Sequence, residues 1–376
     1  MPSLTDYLAG FAEEPGYLDF ASFGPLSAAA RAEATAQDEA ITRGRWGAFE
    51  RLQTNADRLR AAAAAVTGFR EDQIAFQPNT TQGLTQAVFG VAGGILISQA
   101  EYPSLPAAAV RASEALQATA PIWLETDQGR VTAGLIRDKL TSTSTAVGVS
   151  AIDARTGYLV DIEGVRQVIG DRLLIVDGVQ AVGVVDAPWQ AADVLACGGQ
   201  KWLRAGFGTG FIAVSDRAAN RLSAVLSGVG GFPGGEPVWD EVPGPAEGAA
   251  GLQIGSPDWT AAARLAASLE EVADVGIRPI AERVAANAAR VIELADEVAV
   301  PIASPRTEAE RGGIVVFDPR PDQLTALTAA LFNHGVSVTI RQGRIRVSPH
   351  AGTTEETFGM LRAALLAFAT ALRPVR

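Results

Sequence analysis

The chain has 376 residues and a formal net charge of −11, enough length for two domains and the wrong sign for gripping nucleic-acid phosphates. Its single cysteine, Cys197, rules out an intrachain disulfide, and with only His334 and His350 beside it a structural zinc site of the usual kind is excluded. Neither histidine sits in a recognisable Ser-His-Asp context, and no apolar run reaches the length of a membrane span, about 18 residues. The first residues, MPSLTDYLAGFAEEPGY, lack a basic start and an apolar centre of the signal-peptide kind, so the expected location is the cytoplasm.

Residues 27–67 predict two alanine-rich helices broken around Gly44 and Gly47. Seven short apolar runs follow: 73–76, 94–98, 121–125, 146–152, 172–177, 193–198 and 210–214. Amphipathic helical stretches lie between several of them, at 105–117, 132–140 and 162–169. Strands spaced by helices predict an α/β fold with a mostly parallel, helix-covered sheet. Residues 224–258 are rich in glycine and proline and read as a long irregular connection. A helical pattern then runs from about 259 to 296, interrupted near Gly276. A strand at 313–317, a helix at 321–334, strands VSVTI and RIRVS, and a helix at 354–372 complete a smaller α+β unit. The expected division is a large domain over 1–258 and a small C-terminal one over 259–376, with the segment 1–20 a candidate to pack on the small domain.

The chain has 31 basic residues, and only Lys139 and Lys201 are lysine. A lysine amine can lose its proton and attack a carbonyl, whereas arginine stays protonated. Lys139, in LIRDKL, reads as an exposed helix residue. Lys201 follows the strand DVLACGGQK, and Asp177 ends the strand RLLIVD. In a parallel sheet, ligands sit at the carboxyl ends of strands, so an acid and an amine are presented together. Pyridoxal phosphate needs that pair: the amine to hold its aldehyde, the acid to keep its ring nitrogen protonated. A phosphate site is offered by FQPNTTQGL, where Thr80 and Thr81 open a helix whose first N–H groups favour an anion.

These residues resemble the class V aminotransferase-like enzymes of PLP fold type I, a group that includes cysteine desulfurases, kynureninases and transaminases. The similarity extends from YLDFASFGPLS to IRVSPHAGTTEE, nearly the whole chain; its most specific element is Asp177, Gln180, Gly183 and Asp186 followed by GGQKWL. The resemblance implies a large domain with a seven-stranded sheet. It implies that Lys201 forms the Schiff base and moves protons, that Asp177 pairs with the ring nitrogen, and that Gln180 bonds near the ring hydroxyl. Thr80 and Thr81 would bind phosphate, Tyr102 would stack on the ring, and Arg346 would grip the substrate carboxylate. Ser256 would reach the phosphate of a neighbouring subunit, which implies a homodimer with shared active sites.

The departures bear on activity. Gly198, Gly199 and Gln200 replace a common Ser-Gly-His, so the phosphate loses a hydroxyl while the Gln200 amide can still donate. Ala154 stands where relatives often place an asparagine, so that contact is missing or taken by Asp153 or Arg155. No cysteine lies between SVTIRQG and RIRVSPH, which argues against a persulfide-forming desulfurase; Cys197 reads as core packing. The expected function is transamination of an amino acid with a keto acid as partner substrate, with no nucleic acid and no membrane. A β-eliminating or C–S lyase is the alternative, and kynureninase-like hydrolysis stands behind it. A non-catalytic PLP-fold module is disfavoured by the presence of Lys201 and Asp177. A nucleotide-binding enzyme is disfavoured because GFGTGF precedes a strand rather than a helix.

Overall fold

In the computed structural model, residues 3–371 are described. The elements in chain order are helices α1 (Leu4–Ala9), α2 (Ala28–Arg43) and α3 (Ala48–Thr67), strand β1 (Ile74–Phe76), α4 (Thr80–Phe89), β2 (Gly93–Ser98), α5 (Ser104–Leu116), β3 (Thr119–Leu124), α6 (Ala133–Lys139), β4 (Ser144–Ser150), α7 (Ile162–Ile169), β5 (Leu173–Asp177), β6 (Val194–Gly198), β7 (Gly210–Val214) and α8 (Asp216–Ala219). After the long connection come α9 (Trp259–Val275), α10 (Ile277–Glu297), β8 (Val315–Phe317), α11 (Pro321–Asn333), β9 (Thr339–Arg341), β10 (Arg344–Val347) and α12 (Glu355–Ala371).

The seven strands of the large sheet lie in the order β1-β7-β6-β5-β4-β2-β3. Only β7 runs against its neighbours. Side chains alternate across a strand, and here both faces are covered. Leu174 and Val176 point into one core with Leu195 and Cys197. Leu173 and Ile175 point into another with Val194 and Ala196. That is why these strands read as unbroken apolar runs rather than as alternation. Helices α6, α7 and α9 cover the first face, and α4 and α5 the second. Each fully buried aliphatic side chain in these layers contributes about 1.5–3 kcal/mol.

Local chemistry sets the helix limits. The Ser27 hydroxyl accepts from the Ala30 N–H at the start of α2, and Asp258 accepts from Thr260 and Ala261 at the start of α9. The expected interruption between α9 and α10 falls at Gly276, whose φ of 84° stops the helix.

The smaller unit is an antiparallel sheet in the order β8-β10-β9. Its core holds Phe317, Ile345, Val347, Leu361 and Phe368. The strand expected at VSVTI starts later, at Thr339. The preceding backbone is occupied instead by the N-terminal segment: Leu18 N–H donates to the Ser337 carbonyl at 3.0 Å, and Ser337 N–H donates to Gly16 at 2.8 Å. Leu18 is buried in the small core. Helix α1 was not expected from the sequence. The connection 224–258 contains only short 3-10 turns. No helix among the described residues is long and apolar enough to cross a membrane.

Candidate active site

The carboxyl ends of β1, β2, β4, β5 and β6 meet at one edge of the large sheet. There a small enclosed pocket is lined by Tyr102, Ser150, Ala154, Asp177, Gln180 and Lys201, among others. It lies beneath a cleft of about 560 Å³ between the sheet and the small unit, to which Tyr102, Asp153, Arg155, Arg341 and Arg346 contribute.

Lys201 sits three residues past β6. Its Nζ lies 5.5 Å from the centre of the Tyr102 ring. Burial pulls its ammonium pKa down to about 8, opposed by the charge of Asp177 and aided by that of Arg346. Asp177 is the last residue of β5 and is buried. Its Oδ1 accepts from the Val179 N–H at 3.0 Å, and no protein group bonds Oδ2 among the described residues. Burial raises its pKa, while the Val179 bond and then the Lys201 charge lower it. Gln180 is held at both ends of its amide. Its Nε2 donates to the Ala21 carbonyl at 3.0 Å, and its Oε1 accepts from the Trp202 indole at 2.8 Å. One Nε2 proton is left over.

The start of α4 forms the other end of the site. The Asn79 side chain accepts from the Gln82 N–H. The N–H groups of Thr80 and Thr81 fall in the first turn, where a helix has no internal partner for them. The Thr80 hydroxyl accepts from the Gly198 N–H at 2.8 Å, which leaves its own proton free to donate. The Thr81 hydroxyl bonds that of Ser104, the first residue of α5, at 2.7 Å. The Gln200 Oε1 is buried without a partner. A Cβ on Gly198 would lie 2.4 Å from that oxygen and 2.9 Å from the Thr80 hydroxyl, so only glycine lets these groups converge.

Arg346, on β10, is largely buried. It donates to the Ser22 hydroxyl at 2.6 Å and to the Ala154 carbonyl at 3.4 Å, and its Nε has no partner. The nearest carboxylate, Asp19, is 3.9 Å away and accepts from Thr339 at 2.7 Å. The N-terminal segment is thus built into the site, and the backbone explains how. Gly24 N–H donates to the Gln200 carbonyl at 2.8 Å. A Cβ on Gly24 would lie 1.9 Å from the Lys201 carbonyl. Asp153 is tied into its own turn by Arg155 N–H and Thr156, and Arg155 reaches the cleft.

Ser256 is exposed on the loop before α9 and meets none of these groups within the chain. Two buried groups stand apart from the cleft. Cys197 belongs to the core, and burial pushes its thiol pKa far up. The His350 Nε2 faces the Trp202 carbonyl at 2.9 Å, and burial holds its pKa down at about 3. A residue that sequence reasoning missed is Glu101. It is buried beside Tyr102, its Oε2 accepts from the Ser150 N–H at 3.0 Å, and burial raises its pKa to about 8.

The sequence matches the family described as Aminotransferase class-V over residues 26–372. A search of curated proteins finds no match. Among solved structures, the chain is similar to a cysteine desulfurase from Thermococcus onnurineus NA1, with a TM-score of 0.85 and 20% identity over 99% of each chain. It is similar to the cystine C-S lyase C-DES, solved with its product cysteine persulfide: TM-score 0.84, 19% identity, 94% of this chain and 97% of that one. It is also similar to the cysteine desulfurase CsdA from Escherichia coli, with a TM-score of 0.81 and 18% identity over 99% of this chain and 100% of that one.

The donor set fits pyridoxal phosphate. The free hydroxyl proton of Thr80 and the first-turn N–H groups suit a phosphate. The open Oδ2 of Asp177 suits a protonated ring nitrogen, and Lys201 supplies the amine. With the family match spanning nearly the whole sequence, the chain belongs to the class V aminotransferases and is a pyridoxal-phosphate-dependent enzyme.

Proposed function

We propose that the protein is an aminotransferase, taking an amino acid and a keto acid in turn and working as a homodimer with shared active sites. The observation that carries this reading is the convergence of Lys201, Asp177 and Gln180 on one enclosed pocket, beneath a cleft where the Arg346 guanidinium, 3.9 Å from Asp19, has no hydrogen-bonded carboxylate. When bound, pyridoxal phosphate holds amines covalently and draws electrons from the carbon beside them.

Arg346 grips the α-carboxylate of the incoming amino acid and fixes its α-carbon over Lys201. Lys201 takes the α-proton and returns it one position away; an amine with a pKa of about 8 can do both near neutral pH. Asp177 would hold the ring nitrogen's proton, Gln180 would bond near the ring hydroxyl, and Tyr102 would stack on the ring. Thr80, Thr81 and Gln200 would hold the phosphate, joined by Ser256 from the second subunit.

Transamination asks for one proton carrier and no other nucleophile. The residues lining the cleft and pocket include no cysteine and no histidine, which supports it over sulfur transfer. A second reading is β-elimination, as in a C–S lyase. It is favoured by the Tyr102 ring beside Lys201, whose phenol could supply a proton to a leaving group, and by the likeness to a cystine C-S lyase.

The deciding experiment mixes loaded enzyme with single amino acids and no keto acid. Transamination converts the cofactor to its amine form, and a keto acid restores the starting spectrum. Accumulation of pyruvate, alanine or sulfide with an unchanged spectrum replaces this reading with the lyase or hydrolase one.

A further inference from the structure

The hairpin that carries Arg346 presents more charge to the cleft than one carboxylate requires. In β9 and β10, Arg344 lies opposite Arg341 and Arg346 lies opposite Thr339. Residues directly opposite, and residues two apart on one strand, share a face. Thr339, Arg341, Arg344 and Arg346 therefore stand on one face, which lines the cleft. The other face carries Ile345, buried in the small core.

Most of these charges are answered within the chain. Arg344 makes two hydrogen bonds to Asp318, each 3.0 Å. Arg155 lies 3.8 Å from Asp153. Arg346 is committed to the α-carboxylate in the function proposed above. Arg341 makes no ion pair and no side-chain hydrogen bond among the described residues, in contrast to its hairpin neighbours. The acids of the cleft do not compensate for it: Asp318 is taken by Arg344, Asp153 by its own turn, and Glu101 keeps its proton up to about pH 8. Yet Arg341 is close enough that its charge helps lower the pKa of both Lys201 and Arg346.

Two guanidinium groups facing one cleft from diagonal positions of a hairpin, a spacing of about 7–8 Å, match a ligand with an anion at each end. Resting on the aminotransferase reading, we infer that the substrate is a dicarboxylic amino acid, its α-carboxylate held by Arg346 and its side-chain carboxylate by Arg341. Arg341 is then the specificity-determining residue, favouring side chains that carry a carboxylate over neutral ones by the charge-assisted contact it adds.

The test uses loaded enzyme and acids that have no amino group and cannot react. Succinate and glutarate are compared with butyrate and valerate by titration calorimetry. The dicarboxylates should bind about 10- to 100-fold more tightly, the range of one charge-assisted contact. Arg341→Gln, at an exposed position, should keep the melting temperature, bring the dicarboxylates to the monocarboxylate level and leave the monocarboxylates unmoved. Arg346→Gln should weaken both classes. In turnover, Arg341→Gln should raise KM for aspartate or glutamate and not for asparagine or glutamine. Equal binding of the two classes, or an Arg341→Gln enzyme that still prefers dicarboxylates, overturns the inference while Arg346 keeps its role. If neither class binds and Arg346→Gln changes nothing, the aminotransferase reading falls and this inference with it.

Discussion

Lys201 stands at a site where burial, aided by the charge of Arg346, competes with the charge of Asp177, and burial prevails. The reactive species is the neutral amine. The rate of reloading the cofactor-free protein should therefore climb with pH up to about 8 and then level off, whereas an ordinary lysine would keep the rate climbing for roughly two further units. Stopped-flow absorbance across pH 6–10 checks this; a continued climb refutes the depressed value. Asp177→Ala should still load cofactor but lose on the order of 100-fold or more in kcat, with KM less affected. Glu101 gives a stability signature of opposite kind. Its pKa is raised from 4.5 to about 8 in the folded protein, so the folded state holds a proton that the unfolded state releases. Its contribution is complete below pH 4.5 and is lost as pH rises toward 8. Glu101→Gln, which keeps an acceptor for the Ser150 N–H, should melt several degrees higher than the parent at pH 8 and at the same temperature near pH 4. Lysine scarcity singled out Lys201 in the sequence, and the structure places it in the enclosed pocket beside Asp177. Glu101 was not singled out, because it is one of 42 acidic residues and only its burial sets it apart.

At the scale of elements, the strands of the large sheet were readable because both faces are buried, which leaves continuous apolar runs. The limits of α9 and α10 were readable from Gly276. The late start of β9 was not: the competitor for that backbone is Gly16–Leu18, more than three hundred residues earlier in the chain, and no local pattern records such a pairing. The arginine face of the β9–β10 hairpin was present in the alternation of TIRQGRIRV, but its meaning required knowing which face meets the cleft. One network supports the sheet from the far end. Asp193, just before β6, accepts from Arg166 at 2.7 Å, Arg217 at 2.6 Å and the Leu174 N–H at 2.8 Å. Arg166 is itself mostly buried. Asp193→Ala should cost about 3–5 kcal/mol, since it leaves buried positive charge uncompensated. Chemical denaturation measures the loss, and kcat of the surviving folded enzyme should be nearly unchanged because the network lies at the opposite strand ends from Lys201.

The whole molecule exposes apolar surface that a lone subunit would be expected to cover. Phe23 and Phe207 stack at 5.5 Å yet are 36% and 68% exposed, and Trp239 in the long connection is 82% exposed. These lie on the same chain as Ser256, whose hydroxyl finds no partner among the described residues. The homodimer proposed above would cover this surface and lend Ser256 to the neighbouring phosphate. Sedimentation should give twice the subunit mass, and Ser256→Ala should weaken cofactor binding by about tenfold without dissociating the dimer. The account as a whole depends on one bond. Reducing the loaded enzyme with borohydride fixes the cofactor permanently to the amine that holds it, and the chain offers only two lysine side chains to choose between. Peptide mass spectrometry should find the cofactor on Lys201 and Lys139 unmodified. Cofactor on Lys139, or on neither lysine, would contradict the assignment of Lys201 and every step derived from it.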